Sequence, residues 1–216
     1  MPIASFEDLA AASDPPLDEV ALALAAEFRA VDADAALARL DELGDEVAGA
    51  AADGDRLAAL TAVLGRRHGF AGERERYDDP GNSMLDVVLQ RRAGLPILLS
   101  VLYVEVGRRA GLALAGVGLP GHYVVGRFAP PPPVLLDPFA GGTALDVADF
   151  DVEHVRPWGP HETALRMLNN LVGSFTRRQD LGRAIRAGEL RLLLPVHDAL
   201  AVELGAELRA LRARLN

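Results

Sequence analysis

The chain has 216 residues, half of them hydrophobic, with a formal net charge of -9 and no cysteine. That length fits one domain, or one domain with a helical appendage, with enough apolar residues for a substantial core. The acidic balance argues against nucleic acid and against anionic membranes as partners, and the missing thiol excludes disulfides, thiolate metal sites and cysteine nucleophiles.

The first residues, Met1 to Asp8, lack the basic start and apolar core of a secretion signal, so a cytoplasmic protein is expected. Up to Asp55 there are fourteen acids and two arginines; beyond it, twenty arginines face seventeen acids, and there is no lysine. The acidic end reads as a solvated helical face, with a docking surface for a basic partner as the other reading. Ser5 can cap a short helix through Ala12, and Pro16 fits the first turn of a helix carrying Leu17, Val20, Leu24 and Phe28. The apolar spacing predicts helices over 34–51 and 55–68, the second stopped by Gly69.

A turn-rich segment follows from Tyr77 to Ser83, in which Asn82 or Ser83 can cap a helix ending at Gly94. The run from Leu95 to Arg109 is apolar on nearly every face, interrupted between Leu95 and Val106 only by Ser100, Tyr103 and Glu105. A helix of that kind is buried, and at ten consecutive apolar-rich residues it is too short to span a bilayer. The period then shortens. Segments 114–119, 123–128 and 134–137 read as strands, joined in part by a stiff loop of four prolines from Pro130 to Pro133. Gly141-Gly142 makes a turn. From Pro160 the pattern is helical again, with Leu165, Leu168, Leu171, Val172 and Phe175 on the first helix of the tail and a last helix over 195–215. Helices, then strands, then helices indicate an α+β fold with residues 1–54 as a helical N-terminal extension, 55–155 as the central domain and 156–216 as a helical tail.

Several ordered blocks resemble the transglutaminase-like superfamily. They are Asn82-Ser83-Met84-Leu85-Asp86, Arg91-Arg92-Ala93-Gly94-Leu95-Pro96-Ile97, Gly116-Val117-Gly118-Leu119-Pro120-Gly121-His122 and Asp137-Pro138-Phe139-Ala140-Gly141-Gly142. The likeness is greatest to its SirB-type bacterial branch, in which that domain is joined to tetratricopeptide-like helices; Arg166-Met167-Leu168-Asn169-Asn170-Leu171 also resembles that branch. The resemblance implies a papain-like core, a buried central helix against a small antiparallel sheet. It implies a site in which a cysteine at the helix start attacks an amide carbonyl, a strand-borne His takes its proton and an Asp on the next strand orients the His. His122 and Asp137 match the last two positions. The cysteine position falls near Pro96, which supplies neither a nucleophile nor a backbone N–H.

Ser100, one turn beyond Pro96, is the substitute nucleophile to consider, although a Ser in an apolar run more often bonds back to its own helix. His122 reads as a general base, a binding imidazole or a structural partner of Asp137. Glu105 lies at the surface, pairs with Arg92 or Arg109, or faces the cleft; Tyr77, Asn82 and Pro96 are the other candidate lining residues, with turn chemistry as the other reading of Tyr77 and Asn82. The remaining histidines lack metal-ligand spacing, no glycine loop cradles a phosphate, and neither a metal nor a cofactor is expected. The expected function is a non-catalytic, degenerate transglutaminase-like protein that binds a protein or peptide partner. The alternative is a Ser- or water-dependent amide hydrolase or acyl transferase built on His122 and Asp137.

Overall fold

The computed structural model describes residues 3–51, 54–151 and 153–215. The first helix, α1 (Phe6–Ala11), starts where the Ser5 hydroxyl accepts the Asp8 amide at 3.1 Å. Helix α2 (Leu17–Ala26) follows Pro16 and buries Val20, Leu22 and Leu24. Helix α3 (Ala33–Ala50) is capped by Asp32, which accepts the Ala35 amide, and turns Leu40, Leu43 and Val47 inward. Asp55 caps α4 (Arg56–Thr61) in the same way. The helix expected to run on as one α segment to His68 instead widens into a π-helical turn over Ala62–Arg67, with Val63 and Leu64 still in the core. Gly65 in this turn lies against the carbonyl of Gly141, an approach that a Cβ would block.

The next departure concerns helix capping. Asn82 and Ser83 lie inside a 3-10 turn (Pro80–Ser83) that Asp79 caps, so α5 (Leu85–Arg91) starts at Met84 with no side-chain cap. The Asn82 amide is turned the other way, donating to the Arg76 carbonyl at 2.6 Å. Arg92, in a left-handed conformation (φ 58°), ends α5. Gly94 belongs to a two-residue strand, β2 (Ala93–Gly94), paired in parallel with β1 (Ala71–Gly72).

Helix α6 (Pro96–Arg109) is the central helix that its composition predicts: Ile97 to Tyr103 are all buried, as are Glu105 and Val106. It packs on an antiparallel sheet ordered β3 (Ala115–Leu119), β4 (His122–Arg127), β5 (Val134–Asp137) and β6 (Thr143–Leu145). Tyr123 and Val125 join the main core on the α6 side, while alternation sends Val117, Leu119, Val124 and Leu135 to a smaller cluster with Phe128, Val147 and Phe150. Helices α7 (Pro160–Arg177), α8 (Leu181–Arg191) and α9 (Asp198–Ala213) follow in sequence.

The fold is α+β, with a buried helix against a small antiparallel sheet and helices before and after it. One continuous apolar core takes Phe6 and Leu22 from the first helices, Leu99 from α6, and Leu171, Ala187 and Leu211 from the last three. The acidic end also ties elements together: Asp18 and Asp41 pair with Arg109, Glu46 with Arg67 and His68, and Glu27 with Arg186, of which only Asp18 is fully buried. Among the described residues no helix is long and apolar enough to cross a membrane.

Candidate active site

Two strands and one helix converge on the His–Asp pair. His122 opens β4 directly after Gly121, whose φ of 72° makes the turn from β3. The β4–β5 register, Val125 opposite Leu136, brings Asp137 at the end of β5 alongside the start of β4. The His122 Nε2 lies 3.1 Å from Asp137 Oδ2, with the imidazole 31% exposed and the carboxylate 14%. Asp137 Oδ1 accepts the Phe139 amide at 2.9 Å, an Asx turn that holds both the carboxylate and the residue two positions on. Burial pushes the Asp137 carboxyl up. The hydrogen bond from His122, its charge, and the amides of Phe139 and Ala140 outweigh that and hold it below the ordinary carboxylate value. With Nε2 committed to the carboxylate, Nδ1 is the ring atom left to accept a proton or a ligand hydrogen bond.

The second turn of α6 runs beside the strands that carry this pair. Ser100 is wholly buried and donates to the carbonyl of Tyr123, the residue after His122, at 3.4 Å. One turn further along, Tyr103 is also wholly buried. Its hydroxyl has no hydrogen-bond partner and lies beside Gly142. Burial, and then the nearby Asp137 charge, push its pKa well above the ordinary tyrosine value. Pro96 stands at the first position of the helix, half-buried, with Leu95 as the cap and no side-chain cap bond. A thiol at that place would be activated by the helix N-terminus; a pyrrolidine ring offers neither a nucleophile nor a donor.

The Tyr77 loop closes one flank. Asn82 donates through its side chain to the carbonyls of Arg76 and, at 3.4 Å, Tyr77, while its own carbonyl accepts the Leu95 amide at 3.0 Å. It thus fastens the loop to the start of α6. Phe139 stands between the exposed Tyr77 ring and the His122 ring, meeting both edge-on at centroid distances of 6.5 and 6.3 Å. Arg74 lies over the same phenyl ring. Sequence reasoning did not single out Phe139 or Tyr103. The Asp137-Pro138-Phe139 turn was the available signal for the first; nothing local marks the second.

Glu105 is not brought to this site. It lies nine residues along α6 from Pro96, about 13 Å of helix axis. There its carboxylate is 4% exposed and pairs with Arg109 at 3.0 Å and Arg108 at 2.8 Å. Arg109 also reaches Asp18 at 2.7 Å and Asp41 at 2.6 Å. Arg92, the other partner considered for Glu105, instead reaches toward the His68 carbonyl. Burial and the adjacent Asp18 carboxylate push Glu105 up against the pull of its two arginines. Among the described residues, no three His, Asp or Glu side chains converge where they could hold a metal ion.

The sequence profile of the transglutaminase-like superfamily matches residues 34–186. The chain belongs to this superfamily. The matched stretch of the transglutaminase-like chain reaches beyond residues 55–155, taking in α3 on one side and α7 with half of α8 on the other. It is 35% identical to a UPF0162 protein of Xylella fastidiosa over 157 residues, covering 64% of this chain and 56% of that protein. It is 37% identical to a UPF0162 protein of Pseudomonas aeruginosa over 140 residues, covering 62% and 50%. A shorter likeness joins it to F-box only protein 21 of Mus musculus, 38% identical over 94 residues, 44% of this chain and 14% of that one. The chain spans about half the length of the curated bacterial relatives it matches. No solved structure matches it.

Proposed function

We propose that this transglutaminase-like domain is a non-catalytic binding module of the SirB-type branch, which holds a protein or peptide partner at a degenerate papain-like cleft in a regulatory role. The observation that carries this is Pro96 at the start of α6, where the family resemblance puts the thiol, in a chain that has the His122–Asp137 pair but no cysteine. Ser100, the hydroxyl one turn along α6, spends its donor on the Tyr123 carbonyl and has no exposed surface from which to attack. The flank of the cleft supports binding instead. Tyr77 is 49% exposed and Phe139 half-buried, so aromatic surface lies beside an accessible imidazole. The same reading takes residues 1–54 as an extension, 55–155 as the transglutaminase-like domain and 156–216 as a truncated tetratricopeptide-like tail. It also takes the cytoplasm as the setting. The succession α7, α8, α9 with short connections is what such a tail requires.

The test is to measure amide hydrolysis and transamidation across a peptide and amine panel with the wild-type protein and His122→Ala. No turnover above background is expected from either. Turnover that His122→Ala abolishes overturns the proposal in favour of a water-assisted hydrolase or acyl transferase.

A further inference from the structure

The single tryptophan of the chain, Trp158, lines two cavities, neither of which includes His122 or Asp137. Trp158 is held firmly. Its amide donates to the Gly116 carbonyl at 2.9 Å, and its ring meets Tyr123 edge-on at 5.5 Å. The indole occupies the space that a side chain at position 118 would need, which only glycine leaves open. The larger cavity, of about 670 Å³ and within the size range of ligand sites, is walled by Val104, Leu114 and Leu37 and by the charged cluster at the C-terminal end of α6. Its five carboxylates outnumber its two guanidinium groups. Asp18, Asp41 and Glu105 are matched to Arg108 and Arg109, but Asp14 and Glu19 line the cavity with no ion-pair partner among the described residues. The smaller cavity, of about 310 Å³, is lined by Leu165, Pro195, Val196 and Leu200 and by His161, Glu162 and His197. The Nε2 of His161, a residue of this lining, is buried without a hydrogen-bond partner within the chain.

We propose that the two cavities lined by Trp158 form a peptide site for a partner segment bearing an arginine or lysine close to a leucine-sized apolar residue. The basic side chain enters the larger cavity, where the unmatched charge of Asp14 and Glu19 and the apolar walls fit a cationic head on an aliphatic stem. Arg156, stacked over Trp158 at 5.7 Å, shows that this indole already accepts a guanidinium on its face. The apolar residue enters the smaller cavity, and its backbone satisfies the His161 Nε2. This site gives a use to the excess of acidic residues before Asp55, and it does not depend on the reading of the His122 cleft.

Trp158 provides the readout. An acetylated, amidated peptide of alanines carrying one Arg and, two residues on, one Leu is titrated while tryptophan fluorescence is followed. A saturable change is expected. Replacing the peptide's Arg by Glu or its Leu by Ala should weaken binding about tenfold or more, roughly 1.4 kcal/mol. The Asp14→Asn/Glu19→Gln protein should lose a similar factor while keeping its thermal midpoint, and His122→Ala should bind as wild type. The proposal is overturned by no saturable change, by equal binding of the control peptides or of the Asp14→Asn/Glu19→Gln protein, or by loss of binding in His122→Ala. That last result would place the peptide at the His122 cleft instead.

Discussion

The two ends of α6 carry charge in opposite ways. At the N-terminal end one imidazole and one carboxylate meet at the end of a sheet, the imidazole a third exposed, with hydrogen bonds that fix geometry rather than secure the fold. At the C-terminal end two carboxylates, each at most 4% exposed, share two arginines across three helices, with Asp18 from α2, Asp41 from α3, and Glu105 with both arginines from α6. Both set carboxylates against cationic side chains, one pair at the first end and five groups at the second. Desolvation separates them: a charge that keeps some water can change partner or protonation cheaply, whereas a dry one cannot. The open end is therefore suited to binding or chemistry, and the closed end to holding α2, α3 and α6 together.

Removing one partner from each end should expose this contrast. Arg109→Ala leaves Asp18 and Glu105 without their shared, 13% exposed guanidinium. It should cost about 3–5 kcal/mol, read from the midpoint of urea unfolding, because uncompensated buried carboxylates remain. Arg108→Ala, whose side chain is 58% exposed, should cost under about 1 kcal/mol. Equal effects of the two would show that burial does not set the value of these pairs. Gly65→Ala comes next. The new Cβ meets the backbone carbonyl of Gly141, which has no freedom to swing aside. A loss of about 1–3 kcal/mol is expected from the overpacking. A disturbed His122 imidazole signal in NMR should accompany it, since Gly141 closes the turn that Asp137 begins.

How much of this contrast could be read beforehand depends on the range of the interactions. The buried helix was legible because its apolar residues cover all faces within one short run. Strands β3, β4 and β5 were legible because Gly and Pro bound them. The expectation put His122 just before its strand; it is the strand's first residue. Strand β6 has three residues and β1 and β2 two each, too few for a period to show. The π-helical turn kept the apolar spacing of an α-helix, and what singles it out is a contact with Gly141, far along the chain. The Glu105–Arg109 pair follows from an i, i+4 spacing, but Asp18, which decides how costly that pair is to break, lies 91 residues before Arg109. Asn82 was readable as a turn residue, whereas the direction of its amide was not, because the carbonyls it serves belong to the preceding loop.

Acid titration gives a finer version of the comparison, because the two ends bend the stability curve in opposite directions. Asp137 is held below its ordinary 3.8 in the folded chain. Its contribution is present above that value and is lost as the pH falls through the lowered one. His122→Ala removes the hydrogen bond and charge that hold it down, so the acid limb should flatten, with a loss of about 1 kcal/mol or less at neutral pH. Glu105 is held above its ordinary 4.5, so the folded chain keeps a proton that the unfolded chain has released. Its contribution is complete below 4.5 and fades as the pH rises through the raised value. Glu105→Gln should remove that fall. Unfolding midpoints followed from neutral pH into the carboxylate range would read both slopes, and slopes of the same sign would contradict the difference in burial.

Ser100→Ala is the smallest change and the one that separates a core residue from a chemical one. The hydroxyl donates over 3.4 Å to the Tyr123 carbonyl inside the apolar face of α6, a long bond by the standards of O–H donors. Its loss leaves an alanine that suits the helix interior better than serine does. The two effects oppose each other, and the net stability change should stay within about 1 kcal/mol of wild type. Any ligand that the His122 cleft binds should be bound as tightly by the variant, because the hydroxyl points at backbone and has no surface in the cleft. A variant that folds normally but loses tenfold or more in binding or turnover would mean that Ser100 leaves its carbonyl partner and works beside the imidazole. The open end of α6 would then be chemically equipped in spite of Pro96.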